Sequence, residues 1–262
     1  MKKGSFAGLL YREFYLGKHS YITGLLFFAG TAILGWLSLL SMKYGNFGLL
    51  FDEELSGSII KNKDLAEAIR FMILVFMKYC SAFMACAIGL GAVSDVACKD
   101  VMNKWNRFEH CTPVTPLRFT AVKTISMFIS TAISFILVVI YIFTIDMGLG
   151  EKFSYTDISL TLLFLAFGTV IGVLSQIFVM LLKDRDKGML CATFAMMTPI
   201  SIIGYINGKN ERDISKDVDF KTILAELNEK AQVYFPVILI VLAVSFAVLF
   251  VSMYLLYKRR EK

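Results

Sequence analysis

Apolar residues fall into six long blocks along the chain, at Tyr21–Met42, Met72–Val93, Thr120–Ile145, Ile158–Leu182, Met189–Asn207 and Val233–Tyr257. Each is near the roughly 20 residues that a helix needs to cross about 30 Å of hydrocarbon. Backbone left unpaired in lipid is costly, so runs of this length are predicted to be helices. The short alternating segments of a transmembrane barrel do not occur. The predicted fold class is therefore an all-α membrane protein, one domain over residues 1–262 with six transmembrane helices.

Between the blocks the pattern changes character. Phe6, Leu9, Leu10 and Phe14 recur at helical spacing among Lys2, Lys3, Arg12 and Lys18. This predicts an interfacial amphipathic helix over residues 1–19, or else a simple extension of the first span. Two further amphipathic stretches fall in the segments 43–71 and 208–232. The segment 94–116 contains a helical run from Asp95 to His110, which stops near Cys111-Thr112-Pro113. Thr115 and Pro116 then supply an N-cap and a first-turn proline for the next helix.

Charge gives the blocks an orientation. Of the 27 Lys and Arg residues, sixteen lie before the first block, from Lys99 to Lys123 at the opening of the third, between the fourth and fifth, and in the tail. Ten lie in the other three connections, and Lys78 sits within the second block. The rule that basic loops stay inside places the first set in the cytoplasm, with both termini. The first span is too long for a cleavable signal, and the protein is expected in the cell inner or plasma membrane. The net charge of +6 thus needs no nucleic-acid partner.

Composition agrees: 57% of the residues are hydrophobic, 18% are charged and the mean hydropathy is +0.66. The five cysteines show no CxxC spacing, so neither a disulfide framework nor a metal site is expected. The two histidines, His19 and His110, both fall outside the blocks, and no HExxH or phosphate-binding glycine loop is present. Catalysis by this chain is not expected.

Few polar groups interrupt the spans. Lys78 either snorkels to the outer interface or lines a cavity. Gln176 reads first as an interhelical hydrogen-bond former. Pro199 should kink the fifth span, and bent spans often adjoin transport paths. Trp36, Lys78, Gln176 and Pro199 are the candidates for a translocation path. Gly168 and Gly172 form a GxxxG match for close helix contact.

The stretch from Lys99 to Lys123 carries Asp100, Lys104, Trp105, Asn106 and Thr112-Pro113-Val114. In this it resembles the cytoplasmic loop of ABC type-2 permeases, with Thr115 and Pro116 standing where the family has Ser-Arg. The resemblance extends to the layout of the whole chain, and is nearest to small exporters of amphipathic peptides. It implies a coupling helix near Asp100–Glu109 that docks on a separate ATPase subunit. Trp105 and Phe108 would be its aromatic anchors, and Lys104, Arg107 and Glu109 its charges, with Asp186 in a lesser contact.

The resemblance also implies two ATPase copies binding ATP and Mg, a second permease chain (identical or related) and no cofactor in this chain. A stand-alone secondary transporter or channel, or a membrane-bound peptide immunity factor, are the alternatives.

Overall fold

The computed structural model describes residues 6–44, 76, 78–80, 85, 88, 95–100, 114–150, 154–210 and 220–260. Among them every regular element is an α-helix: α1 (Phe6–Tyr44), α2 (Pro116–Leu149), α3 (Tyr155–Leu182), α4 (Arg185–Asn210) and α5 (Phe220–Arg260). Residues 95–100 are helical as well. Four helices are long and apolar enough to cross a membrane: α1, α2, α3 and the Gln232–Lys258 part of α5. These cover the first, third, fourth and sixth apolar blocks. The fifth block lies in α4, and most of the second lies outside the described residues.

The stretch read as either an interfacial helix or an extension of the first span is the opening of α1, which runs unbroken for 39 residues from Phe6. At 1.5 Å per residue α1 is about 58 Å long, nearly twice the hydrocarbon thickness. The helix does not break there because residues 6–20 have an inward face of their own: Leu9, Arg12, Glu13, Leu16 and Gly17 turn toward the bundle while Tyr11 and Tyr15 point out. Within the 208–232 segment, read as carrying an amphipathic stretch, the residues from Phe220 onward are helical and belong to α5.

Helix ends follow local chemistry. Thr115 is the extended N-cap of α2 with Pro116 in its first turn, as the sequence predicts, and Gly150 ends α2 in the left-handed conformation at φ 75°. At the start of α3 the Asp157 carboxylate accepts the Ser154 N–H at 3.1 Å. Lys183 closes α3 at φ 55°, and its N–H donates to the Val179 carbonyl. Asp184 then caps α4 by accepting the N–H groups of Asp186 and Lys187. These bonds, the Lys187 N–H first, hold the Asp184 carboxyl below the usual carboxylate range. Gly188 sits so close to α3 that a Cβ there would lie 2.7 Å from the Val179 nitrogen. The α3–α4 connection is thus a tight turn.

The order of contacts shows how the helices run. Glu13, Tyr21 and Phe28 of α1 meet Lys123, Ser130 and Tyr141 of α2, so these two helices are parallel. The described residues between 76 and 100 run the other way beside them: Gly17 lies against Val96, Gly24 against Ile88, and Arg12 bonds Asp100. One apolar cluster joins Phe28, Leu39, Ala85, Ile88, Val138, Tyr141, Ile142 and Ile145. A second joins α2, α3 and α5 through Phe119, Met127, Val173, Met180, Leu249, Met253 and Tyr257. Large apolar side chains such as Leu26, Phe27, Ile136, Ile140, Ile240 and Val251 point outward, as lipid-facing positions do.

Candidate functional sites: two ionic clusters on one helix

Lys123 lies two turns into α2 and is only 2% exposed. Burying an ammonium group without partners is prohibitive, and Lys123 has several. Its Nζ donates to Asp100 Oδ2 at 2.6 Å and reaches both Glu13 carboxylate oxygens at 3.4 Å. Arg12 in turn bonds both Asp100 and Glu13. Among the described residues, two cations and two carboxylates from α1, from residues 95–100 and from α2 therefore form one charge-balanced knot. A turn away, Asp95 accepts bonds from Lys99 at 2.7 Å and Ser20 at 2.9 Å, and Lys99 also donates to the Leu16 carbonyl. Burial works to raise the Asp95 carboxyl, but those two donors and the Lys99 charge outweigh it and hold it low.

The second cluster sits at the other end of α2, about 35 Å away along the helix. Lys78 Nζ lies 2.7 Å from Asp146 Oδ1 on α2 and 2.8 Å from Asp157 Oδ1 on α3. Tyr79 adds a hydroxyl that donates to the same Asp157 oxygen at 2.8 Å. Lys78 is 12% exposed and Asp146 2%. The Lys78 side chain bridges α2 and α3. Here, among the described residues, one cation faces two carboxylates. Asp157 is saturated, with Oδ1 taken by Lys78 and Tyr79 and Oδ2 by the Ser154 N–H. Asp146 Oδ2 is buried and accepts no hydrogen bond among the described residues.

The candidates named from the sequence do not converge. Asp100 is 1% exposed and turned into the knot rather than outward. Lys104, Trp105, Asn106, Arg107, Phe108 and Glu109 lie outside the described residues. Asp186 is exposed in the first turn of α4. Trp36 is partly buried against the cluster that holds Leu39, Tyr141 and Ile145, at the Lys78 end. Gln176 is buried on α3, and its Oε1 accepts no hydrogen bond among the described residues. Pro199 is exposed within α4, where Thr198 bonds the Phe194 carbonyl at 2.7 Å.

Arg12, Glu13, Lys123, Tyr79, Asp146 and Asp157 were not singled out from the sequence. Their signal was present but easily discounted: each lies at or near the edge of an apolar block, where a charged residue reads as a boundary marker. No family model, curated protein or solved structure matches this chain.

Proposed function

We propose that this protein is the transmembrane permease subunit of an ATP-driven exporter of the ABC type-2 kind, with six spans and both termini in the cytoplasm. A separate ATPase subunit, in two copies, drives it, and two permease chains enclose the path of an amphipathic cargo. The reading starts from the Lys99–Lys123 resemblance. The observation that carries it further is the burial of Asp100 between Arg12 and Lys123.

The segment proposed to dock on the ATPase is Asp100–Glu109. Its first residue is fastened to α1 and α2 at once. A push on that segment is therefore transmitted to two helices, which is the differential coupling that ATP binding needs in order to favour one permease conformation. A solvated loop on a flexible tether would absorb the same push.

Two measurements test the reading. Tagged protein taken up in mild detergent should bring an ATPase subunit with it, and repeated recovery without one sinks the proposal. The double variant Trp105→Ala, Arg107→Ala should insert normally yet lower permease-stimulated ATP hydrolysis; unchanged stimulation removes the docking role. A stand-alone transporter is favoured by one observation, the charge-rich Lys78 cluster beside apolar helices. It requires transport in proteoliposomes without any ATPase.

A further inference from the structure

The Lys78 cluster has the geometry of an occupied receptor site. Two carboxylates on different helices converge on one primary ammonium group at 2.7 and 2.8 Å, ordinary charge-assisted distances. The ammonium arrives on a flexible four-carbon stem from a third segment, so it can leave without moving either carboxylate. It is also the most exposed member of the ion pair it forms with Asp146. Among the described residues one acceptor of the pair remains over, Asp146 Oδ2, on a side chain 2% exposed.

We propose that the Asp146–Asp157 pair is an ammonium-binding site, filled by Lys78 in this structure, that a primary ammonium group from outside the chain can enter. With Lys78 still in place, a second ammonium on Asp146 Oδ2 brings the described charges to balance. With Lys78 swung out, the incoming group takes its position. A proton or sodium ion would lower the charge but could not reproduce three N–H donors directed at two carboxylates. Within the transporter reading, which this extends, the group belongs to a cationic amphipathic cargo. The site then reads cargo charge at the end of the bundle opposite to the Asp100 knot.

The test needs no ATPase, so its failure and that of the exporter reading are separable. The purified chain in lipid nanodiscs is melted in ethylammonium chloride, in tetramethylammonium chloride and in sodium chloride at equal ionic strength. Ethylammonium should raise the unfolding midpoint by about 3 °C over sodium. The shift should grow in Lys78→Met, where the position is vacant, and vanish in Asp146→Asn. If Lys78→Met does not fold, the wild-type chain and Asp146→Asn decide alone. An equal shift with tetramethylammonium, which has no N–H to donate, or a shift that survives in Asp146→Asn, overturns the site.

For the source of the group, Trp105→Phe leaves Trp36 as the single tryptophan, packed in the same cluster as Ile145. A lysine-bearing amphipathic peptide should change its emission, competitively with ethylammonium, and the lysine-acetylated peptide should not. Equal responses to both peptides overturn the cargo assignment while leaving the small-amine result standing.

Discussion

The two ends of α2 hold ion clusters built from the same kinds of group, yet they differ in a way that separates fastening from exchange. At the Lys123 end two cations meet two carboxylates among the described residues; Lys123, Asp100 and Glu13 are all at most 6% exposed, with Arg12 19% exposed at the rim. At the Asp146 end one described cation meets two carboxylates. In the first set Lys123 is wholly enclosed, and its departure strands buried charge. In the second the cation is shared by two carboxylates and is itself 12% exposed, so it can be traded at lower cost. The first kind of cluster suits transmission of force, and the second suits recognition.

That contrast is open to attack in order of effect. Lys123→Met should be the most damaging single change, because it leaves Asp100 and Glu13 buried with one fewer cation. A loss of about 3–5 kcal/mol is expected, read as a collapse of the thermal midpoint or failure to accumulate. Lys78→Met should cost less, about 1–3 kcal/mol, because Asp157 keeps the Tyr79 hydroxyl and the Ser154 N–H as donors. Equal losses at the two ends, by chemical denaturation in the same detergent, would erase the distinction.

Gly24→Ala strikes between the clusters. Its Cβ would lie 2.9 Å from the Ile88 Cα, so α1 must part from the 76–100 segment that feeds both ends. About 1–3 kcal/mol of overpacking is expected, and disulfide trapping between cysteines introduced at Leu16 and Ala97 should report the widened seam.

The smallest effect concerns pH and Asp95. Its carboxyl is held below its ordinary value, so the contribution of its pairing is full above the ordinary carboxylate range. It is lost only as pH falls through the depressed value, below about pH 4. From pH 7 to 5 the Asp95→Asn variant and the parent should therefore keep a constant, small difference in midpoint. A difference that shrinks within that interval would show that Asp95 is not held low.

Much of this architecture was legible in the sequence because its causes are local. The apolar run at Thr120–Ile145 and the Thr115-Pro116 cap are enough to place α2 to within a few residues. The continuity of α1 was left open between an interfacial helix and an extension of the first span. Arg12 and Glu13 are polar and read as the end of an inward face, whereas they face inward because Asp100 and Lys123 await them there. Those partners are 88 and 110 residues away in sequence, and no periodicity carries that information. Lys78 is the same case: snorkelling was a fair reading of a lone lysine near a span end, and only the approach of Asp146 and Asp157 changes it.

The α2–α3 hairpin has a consequence for how the chain is made. Synthesis delivers Lys78 well before Asp146 and Asp157, and delivers Arg12, Glu13 and Asp100 before Lys123. Each cluster therefore waits, incomplete, for α2, and the Lys78 cluster for α3 as well. Until then the early helices carry charges that resist burial in lipid, and α2 arrives bearing a neutralising group near each end. This single helix is the keystone of assembly: a nascent chain stopped short of it holds both ends of the bundle open.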